Sequence, residues 1–355
     1  MIGGERRGYE IRDRSVVRAV VEIRGRAAGN VYWDGCVSER GAETNRRCTM
    51  IVTRNAALVL GVLVPLAANT LEAQSCSCEV SDRKEAAYDW LLALDAQESA
   101  AAEAWHMPYG VPTGVTANEH ILHQDDYIIN YDSDLRVPLW VAYRLRDFDL
   151  LLDRDRTECF RRDPRVVDAE AAVCPDYVEP VFDRGHMAPN ADFVRSEAAM
   201  VNTYMFSNMT PQHANFNRSI WARLEGYVRD WARLKGEVFV ITGAVFDRDN
   251  DGTRDADDQA QRMQSSNGDT RVAVPSHFYK IILAPRHDLF WETISFLLSH
   301  QQQTPNNDNT LTNAIVSIDQ IEALTGIDFL TAIAAQDGNR EQVIEAFTAT
   351  ALWPH

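Results

Sequence analysis

The segment Asp183-Arg-Gly-His-Met-Ala-Pro-Asn-Ala-Asp-Phe193 holds the side chain best suited to acid–base work. His186 follows Gly185 and precedes Pro189, which places it on irregular or strand-end backbone, where a side chain can reach a cleft. With an ordinary pKa near 6.5, an imidazole is largely neutral at neutral pH and can take a proton from water. A lone histidine is more often structural, so the reading needs partners. Asn217 lies 31 residues downstream at the start of a helix, and Glu225 follows 8 residues later, two turns along. A carboxamide oxygen and a carboxylate so spaced suit a hard cation such as Mg2+, which takes oxygen ligands and keeps several waters. The competing reading is a helix cap at Asn217 and a solvated charge at Glu225.

The elements that must hold these groups are partly visible. Ile220, Trp221, Leu224, Tyr227, Val228, Trp231 and Leu234 recur at helical spacing, and Gly236 supplies a stop, so a helix is expected over Ile220–Lys235. Tyr127–Tyr131, Leu139–Leu145, Val238–Thr242 and His277–Leu283 are rich in β-branched or aromatic residues and read as strands. Asp82–Trp105 reads as one helix or two short ones, Gln301–Asn313 as a polar loop, and Ser317–Ala335 as a final helix pair. Strands and helices in irregular order favour α+β over a doubly wound sheet.

The chain has 355 residues, with 35 Lys and Arg against 52 Asp and Glu, a net charge of −17. That balance argues against a protein that coats nucleic acid by bulk attraction, though not against an enzyme with a locally basic groove. Residues 1–49 are polar and Arg-rich, and read as an N-terminal extension upstream of a true start at Met50. Residues 50–75 carry Arg54, an apolar run from Ala56 to Leu71 broken by Pro65, and a cut position after Ala73; they read as a secretory signal, or else a retained signal-anchor. A helical segment, 76–104, and one continuous domain, 105–355, follow. The protein is therefore expected to be secreted or periplasmic, without stable membrane association after cleavage. Cys36 and Cys48 precede the signal, leaving Cys76, Cys78, Cys159 and Cys174. An even number in an exported chain suggests disulfides, and a Cys159–Cys174 bridge would contribute roughly 3 kcal/mol; free buried thiols are the alternative.

Five segments in order resemble the DNA/RNA non-specific endonuclease family, the ββα-metal or His-Me finger nucleases, over about residues 105–335. They are Val137–Leu145; Asp183-Arg-Gly-His186; Ser207-Asn208 with Pro211-Gln212, Phe216-Asn217, Trp221 and Leu224-Glu225; Val274–Lys280; and Ile321–Phe329. The resemblance implies a mainly antiparallel central sheet flanked by helices, with a ββα-metal motif at the site. It implies that His186 is the general base, that Asn217 binds Mg2+ directly (Mn2+ being an alternative), and that Glu225 acts in the metal's outer shell. It further implies that Asn208 orients the site and that an upstream arginine stabilises the phosphate. Arg156 matches that arginine best, with Arg161 or Arg162 as substitutes; Arg184 would add positive potential. The implied reaction is hydrolysis of DNA and RNA to 5′-phosphate products, and both groups must be open to solvent for it. A homodimer is left open.

Arg144, Arg146, Arg154, Arg156, Arg161, Arg162 and Arg165 form a local basic cluster, either a phosphate-gripping groove or a set of ion pairs with the interleaved aspartates. Asp247, Asp249, Asp251, Asp255 and Asp258 occupy positions 1, 3, 5, 9 and 12 of a Ca2+-loop pattern, with Gly252 at position 6. Asp258 replaces the usual glutamate and no flanking helix pair is evident, so residues 247–258 read as a single structural Ca2+ loop in an insertion, or as an empty acidic loop. The whole chain therefore reads as an exported metal-dependent nuclease, or as a silent nuclease-like calcium- or nucleic-acid-binding protein.

Overall fold

In the computed structural model, seven antiparallel strands form the central sheet, in the spatial order β1-β2-β3-β6-β9-β10-β11. They are β1 Glu119–His123, β2 Ile128–Asp132, β3 Val137–Arg146, β6 Glu237–Val245, β9 His277–Pro285, β10 Trp291–Ser299 and β11 Ile315–Val316. Residues 82–114, 119–286 and 291–355 are described; the extension, signal, Cys76 and Cys78 readings lie outside them. β3, β6 and β9 are buried along almost their whole length, as expected of long apolar runs in the middle of a covered sheet. Two ribbons stand apart: β4 Phe182–His186 with β5 Met209–His213, and β7 Arg262–Gln264 with β8 Thr270–Ala273.

The helices follow the capping chemistry of the sequence. α1 (Asp82–Trp90) and α2 (Ala96–His106) are two helices rather than one, because Asp95 accepts from the backbone of Gln97 and Glu98 and starts a new one with a capping box. α3 is Glu197–Asn202. After β5 comes a single turn, α4 (Ala214–Phe216), then a π-helical turn over Asn217–Trp221, then α5 (Ala222–Lys235), which ends at Gly236 with φ +83. α5 buries Leu224, Val228, Trp231 and Ala232 and packs on β3 and β6. The expected helix is thus present, but its first turn is a wider, under-wound π turn that begins at Asn217.

The supposed loop Gln301–Asn313 is helical in its second half: Asn307 accepts from Thr310 N and starts α6 (Asp308–Asn313). α7 (Ile318–Thr325) and α8 (Thr331–Gln336) are the expected pair, and α9 (Gly338–Glu345) follows them. The strands β1, β4, β5, β7, β8, β10 and β11 were not anticipated. β4 and β5 are short and contain Gly185 and Pro211, which carry no strand signal of their own. The fold is α+β, and β4, β5 and α5 make a ββα unit beside the main sheet. No helix among the described residues is long and apolar enough to cross a membrane.

Candidate active site

His186 ends β4, paired with Met209 of β5. Just past it, Asn208 acts as a clamp. Its Oδ1 accepts from Ala188 N at 2.9 Å, its Nδ2 donates to the carbonyls of Ala188 (2.9 Å) and Thr203 (2.8 Å), and its own carbonyl accepts from Met187 N at 3.0 Å. Its carboxamide is thereby committed to backbone, so Asn208 is a positioning residue and does not reach a reacting atom. Arg184 lies two residues before His186, on the same side of the strand. Both lean on Phe160, the guanidinium 4.8 Å from its ring centre and the imidazole ring 6.2 Å away. Burial lowers the pKa of Arg184 somewhat.

His186 is more enclosed than the sequence suggested, at 8% exposure. Tyr204 meets the ring edge-on at 4.8 Å, and Nε2 is shielded without any hydrogen-bond partner. Burial, helped by the nearby Arg156 charge, pushes its pKa down to about 3, so the ring is neutral at physiological pH. Arg156 is half exposed, lies 5.6 Å from the Tyr204 ring centre and pairs with Glu158 at 3.2 Å.

Asn217 is brought to this strand by a bond the sequence did not announce: its Nδ2 donates to Asp183 Oδ2 at 2.9 Å. Arg218 grips the same carboxylate with two nitrogens, at 2.8 and 2.5 Å. Asp183 thus fixes the Asn217 carboxamide by its nitrogen and leaves the oxygen side for a cation. Two turns on, Glu225 lies over a buried charge network. Asp192 accepts from Tyr143 at 2.8 Å and from Arg229 at 2.9 Å. Lys280, fully buried, donates to Thr242 at 3.0 Å and sits 4.5 Å from the Trp221 ring centre. Burial raises the Glu225 pKa, while Lys280, Arg229 and Arg156 pull it back; burial likewise lowers that of Lys280. Arg156 therefore acts on both His186 and Glu225, which ties the two halves of the site together. Oxygen donors from Asn217 and Glu225, without sulfur or nitrogen, fit a hard divalent ion.

A sequence profile of the DNA/RNA non-specific endonuclease family matches residues 106–336, more than half of the chain. The chain belongs to that family. It is 35% identical over 215 residues to nuclease C1 of Cunninghamella echinulata var. echinulata, covering 59% of this chain and 81% of the relative. To the mitochondrial endonuclease G of Homo sapiens it is 32% identical over 237 residues, covering 66% and 76%. Among solved structures, a chain of the EndoG/EndoGI complex superposes with a TM-score of 0.55 at 27% identity, covering 64% of this chain and 91% of that one. Membership makes the chain a metal-dependent nuclease, with DNA and RNA as its class of substrate.

Most of the nuclease's expected basic groove is spent on ion pairs. Arg144 pairs with Glu237, Arg146 with Asp149, Arg162 with Asp168, and Arg165 with the buried Asp163. Arg161 is 8% exposed and joins Asp89 of α1 to Asn202 of α3, which removes it as a substitute for Arg156. The acidic loop of the nuclease brings together three of its five carboxylates: oxygens of Asp247, Asp249 and Asp251 lie within 4.8 Å of one another. Asp255 instead accepts from Arg248 N at 2.8 Å, and neither it nor the exposed Asp258 joins that group. A cavity of about 240 Å3 adjoins the loop, lined by Arg248, Asp255, His213, His277 and His300 among others, and is separate from His186, Asn217 and Glu225. The residues missed from sequence are Asp183, Arg218, Asp192, Arg229 and Lys280. Two of them carried a signal: Asp183 as the first residue of the Asp183-Arg-Gly-His186 motif, and Lys280 as a charge inside the apolar run His277–Leu283.

Proposed function

We propose that this is an exported, Mg2+-dependent endonuclease that hydrolyses both DNA and RNA without base preference. The observation that carries the reading is the buried, neutral imidazole of His186, whose Nε2 has no partner, next to Arg156, whose charge acts on Glu225 as well. An orphan nitrogen at a strand end is costly unless something is meant to bond it. In the proposed reaction a water oxygen attacks phosphorus as His186 takes one of its protons, and the bond to the 3′ oxygen breaks, leaving a 5′-phosphate and a 3′-hydroxyl. Because Tyr204 and Phe160 pack against the ring, water bonds Nε2 only when these side chains give way to substrate. Arg156 and Arg184 then stabilise charge on the non-bridging oxygens.

Asn217 would hold the ion directly and Glu225 through water. Bound there, Mg2+ (or Mn2+) relieves charge on the phosphate and the departing oxygen and supplies an acidic water. Contacts to backbone phosphates fit cutting that ignores base identity. Export and release from the membrane rest on the Arg54-to-Ala73 segment, and a Cys159–Cys174 bridge goes with them because exported chains are oxidised. We also read Asp247, Asp249 and Asp251 as holders of one structural Ca2+; Gly252, at φ +87, completes the turn, and Asp247 accepts from the backbone of Asp251 and Gly252. Calorimetric Ca2+ uptake that falls by one ion per chain in Asp249→Ala supports that part, and an unchanged stoichiometry removes it.

The experiment for the main reading is degradation of plasmid DNA and of RNA with and without EDTA. Loss of both activities in EDTA, regained with Mg2+, is expected. Undiminished degradation in EDTA contradicts the reading.

A further inference from the structure

The C-terminal helices gather five carboxylates, with the buried Glu345 common to all the close approaches. α7 contributes Asp319 and Glu322, the turn after it Asp328, and α9 Glu341 and Glu345. They form two groups that share Glu345: with Asp319 and Glu322, and with Asp328 and Glu341. Within each group one oxygen per residue lies within 4.8 Å of the others. Glu345 is only 6% exposed, and its Oε1 is shielded from solvent without a hydrogen-bond partner. Glu322 has one fixed bond, accepted from Phe329 N at 2.9 Å, which locks its carboxylate in place.

The charges acting most strongly on Glu345 are the four other carboxylates, all of the same sign. Burial and this repulsion together raise the pKa values of both Glu345 and Glu322. An isolated carboxylate buried among like charges is among the costliest arrangements a fold can hold. A counter-ion turns the same arrangement into a site. We propose that Glu345 is the centre of a structural cation site, taking a hard divalent ion of Ca2+ size between α7, α9 and the Asp328 turn. The donors are all oxygen, without imidazole or thiolate, which excludes the softer transition metals as preferred occupants. Ligands on opposite sides of a Ca2+ stand about 4.8 Å apart, at about 2.4 Å each, so oxygens within that separation can share one such ion. The half-exposed and exposed members, Glu341, Asp319 and Asp328, give the ion a way in.

The site has a use. Asp328 exchanges both backbone hydrogen bonds with Thr113, each 2.9 Å, so an ion there fastens α9 to α7 and to the stretch that leads into the sheet. This site is distinct in sequence from the acidic loop and from Asn217.

The test is the melting temperature of the full chain at pH 7.5 in EDTA and in Ca2+ up to about 10 mM, above the weakest extracellular Ca2+ modules. The protein carries Asp249→Ala and Asp251→Ala so that the loop is silent, and the comparison is with the same protein plus Glu345→Gln. Any Ca2+ taken at Asn217 affects both equally. The expected result is a rise of several degrees with Ca2+ that Glu345→Gln abolishes, while Glu345→Gln melts higher than its parent in EDTA because the buried charge is gone. Should that variant fail to fold, Glu341→Gln serves instead, with Ca2+ affinity weakened about ten-fold. No rise with Ca2+, or a rise undiminished by either substitution, overturns the proposal. Since the readout is melting and not cleavage, its failure leaves the nuclease reading standing, and the reverse.

Discussion

His186 combines two properties that usually exclude each other, an enclosed ring and an unbonded nitrogen. Enclosure keeps it neutral, and the missing partner keeps its lone pair available. Its type and its setting between Gly185 and Pro189 were legible in the sequence, as were Asn217 and Glu225, because the motif fixes their spacing. Their supports were not: Asp183 meets Asn217, and Lys280 comes beneath Glu225, only through the tertiary fold. At this scale the account predicts that Asp183→Ala frees the carboxamide of Asn217 to rotate. The Mg2+ concentration for half-maximal cleavage should rise about 10- to 100-fold, the usual cost of losing an outer partner of a ligand. A metal titration of activity measures it, and an unchanged midpoint would mean that Asn217 does not hold the ion.

Among the elements, the amphipathic helix and the long central strands could be read from periodicity. The β4–β5 ribbon could not, since Gly185 and Pro211 break the pattern that pairing imposes. The under-wound π turn at Asn217 also has no sequence signal, although such turns gather at functional sites. Two histidines join the elements in a way that depends on pH. His300 accepts His213 N at its Nε2 (2.7 Å) and bonds the Pro275 carbonyl through Nδ1 (2.8 Å), which fixes it as neutral. His106 likewise accepts Arg144 N at Nδ1 (3.1 Å) and bonds the Asp125 carbonyl through Nε2 (2.9 Å). Burial pushes both down to about 4. The unfolded chain therefore binds protons first, near 6.5, so stability is complete above that pH and drains away as pH falls toward 4. Each histidine accounts for at most about 3 kcal/mol of the loss. Urea midpoints of the wild type, His106→Gln and His300→Gln between pH 7 and 4 check this, since the carboxylates with raised pKa values act in all three alike; identical pH profiles would show that neither ring is held neutral.

Across the whole molecule, the charge balance of −17 hides a division of labour among arginines. Sequence could locate the basic cluster but could not separate groove from ion pair, because the partners Asp89, Glu237 and Glu158 are set by the fold. With Arg144, Arg146, Arg161, Arg162 and Arg165 neutralised, Arg154, Arg156 (whose Glu158 pair is exposed) and Arg184 outside the cluster leave about three arginines for phosphate. The apparent Kd for DNA should therefore follow salt with a log–log slope of magnitude about 2 to 3, well below the value near 6 that all seven would give. Fluorescence anisotropy with a DNA duplex in EDTA gives the slope, and a flat response would remove the charged groove altogether.

The central claim concerns one imidazole, and single-turnover cleavage of plasmid DNA at matched, saturating Mg2+ tests it directly. The account predicts that His186→Ala binds DNA and Mg2+ as the wild type does yet cleaves about 100- to 10,000-fold more slowly; equal cleavage rates for the two proteins would contradict it.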